Sequence, residues 1–332
     1  MKFFSLITVL ILSQFSFSQE IENSTPDYPV AEKIPFYFVN HGDTVLQNYN
    51  WMRKKDTPEI INYLEQENTY SDVIMKPSSI LQKKIFEEMR SVMKENNTSR
   101  MNRVDNYYYY SKWIEGKEQS IQYRKKDSIT AKEQIVLDAN VLAQEFGYFT
   151  IAGYKLSEDH SLLAYSVNTV GGDYGSVYTK NIDKDSTFKD YITRVNHYLL
   201  TPDNKSIYYV KEDLISKRAN QLFVHVLGTD TLTDKLILKI EDSKFNIGIS
   251  ISTSKQYIFI STSTFGMTGD YYVIDLLSND LSIRKIYTAE KGIETSFDHI
   301  EGDYFLVTTN KNAPDYLIKE IDDYYSFLWI NF

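Results

Sequence analysis

Cysteine does not occur anywhere in the 332 residues. Its absence removes disulfides, thiolate metal ligands and lipid attachment through an N-terminal cysteine from consideration. Basic residues are also outnumbered: 36 Lys and Arg face 45 Asp and Glu, for a net charge of −9. Nucleic-acid binding draws its affinity from clustered cations, so nucleic acid is not expected as a partner. Past the N-terminus no apolar run is long enough to span a bilayer as a helix. The five histidines, His41, His160, His197, His225 and His299, lack the spacing of zinc ligands. No metal and no other cofactor is expected. The pattern G-x-S-x-G, whose glycines let a nucleophilic serine sit on a strained strand-to-helix turn, is missing as well. Its nearest approximations are Gly248-Ile249-Ser250, which continues into a strand-like run, and Gly175-Ser176 in a glycine-rich turn. None of the histidines is placed as the base of a catalytic triad would be, and no catalytic residue is assigned.

Aromatic residues, by contrast, are abundant: 27 Tyr and 18 Phe in a chain that is 42% hydrophobic. Such side chains suit half-buried pleated surfaces, and the expected class is mainly β. At the start, Lys2, the apolar run Phe3 to Ile11 and the small residues of Ser16-Phe17-Ser18 form an export signal spanning residues 1–18. The mature chain is expected from about Gln19, exported, soluble and without a membrane span.

Residues 19–97 are expected to form a linker and a short α-helical segment. Thr57-Pro58-Glu59 places a capping residue, Pro at the first helical position and an acid in the first turn, predicting a helix over roughly 57–68 with Ile60, Ile61 and Leu64 on one face. A second helix is predicted from near Ser79 to Asn96-Asn97, with Leu81, Ile85, Phe86, Met89, Val92 and Met93 in a stripe that buries one side against a partner. Both stripes read as core packing.

After residue 100 the periodicity changes. Tyr107–Tyr110, Leu162–Ser166, Ile207–Val210, Tyr257–Ile260 and Tyr304–Val307 are strand-like runs, each preceded by a polar turn. They recur at an interval of about 40–50 residues, the period of propeller blades. Two of the turns are nearly alike: Leu156-Ser157-Glu158-Asp159-His160 and Leu200-Thr201-Pro202-Asp203-Asn204. In each, the Asp can accept backbone N–H groups and hold a tight reversal, which is a structural role. Gly171-Gly172-Asp173-Tyr174-Gly175 reads as a hairpin turn because no P-loop Lys or following helix accompanies it. The acidic pairs Glu87-Glu88, Glu241-Asp242 and Asp322-Asp323 read as surface or turn residues.

The order and spacing of several short stretches carry a resemblance. They are His41-Gly42-Asp43 with Tyr49 and Trp51-Met52-Arg53, then Tyr63-Leu64-Glu65 and Glu67-Asn68, then Leu137-Asp138-Ala139-Asn140 and Leu156 to Ser166. His225-Val226-Leu227-Gly228-Thr229, Glu241-Asp242-Ser243-Lys244-Phe245 and Thr309-Asn310-Lys311-Asn312-Ala313 follow. Together they resemble the N-terminal part of the prolyl oligopeptidase family of serine peptidases, in its oligopeptidase B or protease II branch. Val45, Gln47 and Glu158 depart from that pattern, standing where Arg, Asp and Pro are usual. The resemblance implies a helical N-terminal segment packed on a catalytic domain, a seven-bladed propeller, and an α/β-hydrolase domain carrying a Ser, Asp, His triad. It further implies that the propeller limits entry to short peptides, with cleavage after basic residues.

About five repeats fit between residue 98 and Phe332, so the expected fold is an incomplete β-propeller over 98–332, about five of seven blades, with the α/β-hydrolase domain absent. The closing run Asp322 to Phe332 has no domain-closing turn and reads as cut off or frame-shifted. Three readings follow. The chain is the gating part of an exported oligopeptidase B-like peptidase, inactive alone; or a non-catalytic propeller that binds peptides or proteins; or half of a split enzyme completed by a separately encoded hydrolase chain.

Overall fold

The computed structural model describes residues 27–322, apart from 95, 215, 243, 265–266 and 279–281. The expected export signal and the apolar end from Asp323 lie outside the described residues. The fold divides into two compact units, Met1–Lys94 and Glu95–Phe332.

In the first unit, β1 (Tyr37–Asn40) and β2 (Asp43–Leu46) form an antiparallel hairpin. His41 and Gly42 make its turn with φ of 51° and 91°. A 3-10 turn, Asn50–Arg53, carries Trp51, whose indole N–H donates to the Glu32 carbonyl at 2.8 Å. Helix α1 runs from Pro58 to Met75, with Thr57 at its N-cap and Pro58 in its first turn. It continues well past the end that the sequence suggested because nothing after Asn68 stops it before Pro77, and the Thr69 hydroxyl is satisfied within the helix by the Glu65 carbonyl. Helix α2 covers Ser79–Val92, ending short of Asn97, which instead starts a strand. The stripe expected to be buried is exposed at Leu81, Ile85, Phe86, Met89, Val92 and Met93, and Ile60 is the one buried residue of α1.

The second unit is built of antiparallel sheets. The first contains β3 (Asn97–Thr98), β4 (Asn102–Val104), β5 (Tyr107–Trp113), β6 (Ile121–Lys126) and β7 (Glu133–Asp138). A short helix, α3 (Ala139–Ala143), follows with the Asp138 carboxylate capping Asn140 N–H. The second sheet runs in chain order through β8 (Thr150–Leu156), β9 (Leu162–Asn168), β10 (Gly175–Asn181), β11 (Ser186–Leu200), β12 (Ser206–Glu212), β13 (Ala219–Val226) and β14 (Lys235–Lys239). The third comprises β15 (Asn246–Ile251), β16 (Tyr257–Thr264), β17 (Met267–Asp275) and β18 (Ile283–Tyr287). The fourth comprises β19 (Thr295–Asp298), β20 (Tyr304–Thr309) and β21 (Leu317–Asp322).

All five aromatic runs singled out in the sequence are therefore strands, each the second or a central strand of its group. Their residues explain the position. Strand β9 is buried at every residue, Leu162 to Asn168, as a strand covered on both faces requires, whereas β20 alternates. Ser250, the nearest approximation to a nucleophile, sits within β15 opposite Phe259. Gly171-Gly172 lies in the β9–β10 hairpin, where the Asn168 carboxamide accepts Val170 and Gly171 N–H.

Strand β11 joins two halves of its sheet. It pairs with β10 from Ser186 to Val195, with a register shift between Ile192 and Val195, and with β12 from Val195 to Leu200. Within that shift Arg194 takes a φ of 61°, and the register to β12 slips between Val195 and His197. A side-chain-bearing residue in that left-handed region bends the strand, and the sheet folds on itself. Ala164, Val177 and Ile192 from one half consequently pack with Val195, Ile207 and Tyr209 from the other. The remaining cores have the same character. Val136 and Leu137 meet Leu163, Tyr165 and Val167 between the first and second sheets. Leu199, Tyr208, Val210 and Leu222 meet Ile247, Ile258, Ile260 and Ile274 between the second and third. Tyr257, Phe259, Val273 and Ile286 meet Phe305 between the third and fourth. Each seam buries several large side chains, worth about 1.5–3 kcal/mol apiece.

Candidate functional site

The chemistry-bearing side chains of the second unit gather in the seams. Three of the turns leading into the central strands share one construction. In the first, Ser157 Oγ accepts Leu162 N–H at 2.8 Å and donates to Asp159 at 2.6 Å. In the second, Thr201 Oγ1 accepts Ser206 N–H at 3.0 Å and donates to Asp203 at 2.6 Å. In the third, Ser252 Oγ accepts Tyr257 N–H at 3.0 Å and lies 2.8 Å from Ser254 Oγ. The left-handed residue that closes each turn, His160, Asn204 or Lys255, has φ near +60° (61°, 60° and 65°). Asp159 also takes Ser161 N–H and Asp203 takes Lys205 N–H, the backbone-holding role read from the sequence. Burial alone would push both carboxyls up, but these hydrogen bonds outweigh it and hold them below the usual carboxylate range. Lys255 also reaches back to Glu158 at 3.0 Å.

Each of three seams contains a buried histidine with both ring nitrogens engaged. His160, 7% exposed, lies in the turn before β9. Its Nδ1 is 2.8 Å from the Tyr109 hydroxyl on β5 and its Nε2 is 3.0 Å from Asp105 Oδ2 in the β4–β5 turn. Beside it Arg124, 1% exposed, donates to Gln134, to the His160 carbonyl and to Asp183, and its guanidinium lies 4.5 Å from the centre of the Tyr107 ring. His225, 1% exposed, places Nδ1 at 2.7 Å from Asp234 Oδ1 and Nε2 at 2.8 Å from Asp190 Oδ2. His299, fully buried, places Nδ1 at 2.7 Å from Ser254 Oγ and Nε2 at 3.0 Å from the Gly302 carbonyl.

The Ser254–His299 contact has the spacing of a nucleophile and its base, so its surroundings decide its chemistry. The carbonyl of Gly302 accepts from Nε2–H, so in the neutral ring Nδ1 accepts from the serine hydroxyl. Ser254 itself is fixed by Ser252 and by Gln256 N–H, and its backbone N–H donates to the His299 carbonyl. Tyr257 and Phe305 close over the ring, 4.8 and 6.0 Å away between centroids. His299 is buried and Ser254 half-buried, and their contact ties the third sheet to the fourth.

The other two histidines stand apart. His41 is in the β1–β2 turn, and His197 is exposed on β11. Among the described residues no group of three His, Asp or Glu side chains is arranged to hold a metal ion. No helix among them is long and apolar enough to cross a membrane. Sequence reasoning missed the seam histidines because each has at least one partner 35 to 55 residues away, as for His225 with Asp190 and His160 with Asp105. Only His160, adjacent to a recognised turn, carried a local signal.

Comparison with known proteins agrees with this architecture. A model of the prolyl oligopeptidase N-terminal β-propeller domain matches residues 28–323. Protease 2 of Moraxella lacunata is 30% identical over 296 residues, covering 87% of this chain and 42% of that protein. Dipeptidyl aminopeptidase BI of Pseudoxanthomonas mexicana is 29% identical over 331 residues, covering 92% and 44%. Among solved structures, oligopeptidase B from Leishmania major superposes with a TM-score of 0.82 at 21% identity, covering 92% of this chain and 46% of that one. Oligopeptidase B from Trypanosoma brucei with covalently bound antipain gives a TM-score of 0.77 at 21% identity, covering 89% and 44%. The chain spans less than half the length of these relatives. It belongs to the prolyl oligopeptidase family, on its oligopeptidase B and protease II side, and the residues described are those of the N-terminal β-propeller domain.

Proposed function

We propose that this chain supplies the gating propeller of an exported serine oligopeptidase of the oligopeptidase B type, which admits short peptides and cleaves after basic residues. From residue 98 onward the sheets read as five consecutive blades. In this reading β11 is the outer strand of the second blade up to Ile192 and the inner strand of the third from Val195. The observation that carries the proposal is the run of buried seams, each joining one sheet or half-sheet to the next in chain order, within the family match over residues 28–323. That arrangement makes a stacked scaffold, which orients and screens ligands and does not itself react.

The nucleophile, acid and base belong, in this proposal, to an α/β-hydrolase domain outside the described residues, encoded either in continuity with this chain or on a chain immediately downstream. Every buried histidine described here has both ring nitrogens committed to structural partners, which leaves none of them available as a general base. Reading the genomic DNA that follows the codon for Phe332 tests the assignment. A G-x-S-x-G pattern with a later His is the expected finding. Intact and unrelated sequence there would overturn it in favour of a stand-alone peptide-binding propeller.

A further inference from the structure

The Asp190–His225–Asp234 cluster differs from the other two seam histidines in one respect: both of its ring nitrogens face carboxylate oxygens. An ionised carboxylate only accepts, so with both acids ionised the two short contacts need a ring that donates from both ends. Asp190 is on the outer half of β11, His225 is on β13, and Asp234 follows a 3-10 turn, Thr231–Thr233, ahead of β14. The cluster therefore spans the fold that Arg194 introduces into the second sheet. The groups facing the ring are Asp190 from β11 and Asp234 from the turn, and behind Asp234 the Tyr209 hydroxyl of β12 donates to its second oxygen at 2.8 Å. Gly228 N–H donates to Asp190 Oδ2 at 3.0 Å. Among the described residues no Lys or Arg is ion-paired with either carboxylate, so the imidazolium is their one cationic partner.

We propose that Asp190–His225–Asp234 is a proton-operated clasp: the doubly protonated ring holds the outer half of β11 against β13, and loss of one ring proton to solvent frees that half. The neutral ring keeps a single N–H. One nitrogen then opposes a carboxylate oxygen with no hydrogen between them, and that contact turns from attractive to repulsive. Asp190 is the side that lets go. Asp234 is the more deeply buried carboxylate, with 3% of its side chain exposed against 9% for Asp190, and it retains the Tyr209 hydroxyl. The clasp and the Arg194 bend act on the same seam, so opening one end lets the two halves of the sheet move about the other.

The test is amide hydrogen exchange of residues 186–193 in the full chain between about pH 6 and about pH 9, with intrinsic exchange rates divided out. Protection in the native protein is expected to fall about tenfold or more toward the alkaline end. In Asp190→Asn the side-chain amide can donate to an unprotonated nitrogen, and protection is expected to change little across the same range. Equal pH profiles for the two proteins would overturn the clasp. Nitrogen-15 spectra of the native His225 ring give a reading that does not depend on the variant folding. Signals from both ring N–H groups at pH 6 support the clasp, and a single neutral tautomer there contradicts it.

Discussion

Arg124 Nη2 lies 2.6 Å from Asp183 Oδ1, joining β6 of the first sheet to the β10–β11 hairpin of the next. The pair is lopsided: the arginine side chain is 1% exposed and the aspartate side chain 63%. Solvent can take over for Asp183 if its partner leaves, but nothing replaces the three hydrogen-bonded contacts and the Tyr107 face that satisfy Arg124. Arg124→Met is therefore expected to lower unfolding stability by about 3 kcal/mol. Asp183→Asn keeps an acceptor in place and is expected to cost about 1 kcal/mol or less. Urea unfolding of the two variants checks the order, and equal losses would mean that the aspartate, not the buried cation, organises the seam.

Acid should loosen the turns before it loosens the cores. For Asp159, Asp203 and Asp298, burial raises the carboxyl pKa, but hydrogen bonds from neighbouring hydroxyls and N–H groups outweigh it, and all three are held below their ordinary value. A folded-state pKa below the unfolded one gives stability that is complete above the ordinary carboxylate range and is lost as pH falls through the folded value. Thermal unfolding midpoints should drop below about pH 4, the range where free Asp titrates. The triple Asn variant at these positions is expected to start lower at pH 7 and to change less on acidification.

The strands were legible because their composition is unambiguous: Leu162-Leu163-Ala164-Tyr165 and Tyr257-Ile258-Phe259-Ile260 are too apolar and too short for anything but a covered strand. Two of the turns were legible from Asp159 and Asp203; the third, Ser252-Thr253-Ser254, has no such Asp and was not. Helix ends were not, since α1 runs to Met75 through residues that neither favour nor forbid a helix. The bend at Arg194 was invisible for another reason: the residue has no intrinsic preference for positive φ, and the requirement comes from two packed half-sheets. His225 and His299 were unreadable because each depends on one partner far along the chain, Asp190 and Ser254.

Ser254→Ala removes the donor to the buried Nδ1 of His299 and leaves that nitrogen unsatisfied. The expected loss of stability is about 1–2 kcal/mol. A protein that unfolds like the native chain would contradict the structural role given to this pair. Ser250→Ala serves as the control, because Ser250 is exposed on β15 and should be close to neutral.

Export is part of the proposed function and has a direct readout. N-terminal sequencing of the protein recovered from the periplasm or medium of an expressing bacterium should begin near Gln19. Retention in the cytoplasm with Met1 intact would remove export from the proposal.

The central claim is that these residues screen peptides and do not cleave them. The purified chain is incubated with a fluorogenic peptide bearing a basic residue at the scissile bond, beside the Ser254→Ala variant and a buffer blank. The expected result is release at the rate of the blank in both proteins. Turnover by the native chain that disappears in Ser254→Ala would contradict it, because it would turn a buried seam contact into a working nucleophile and base.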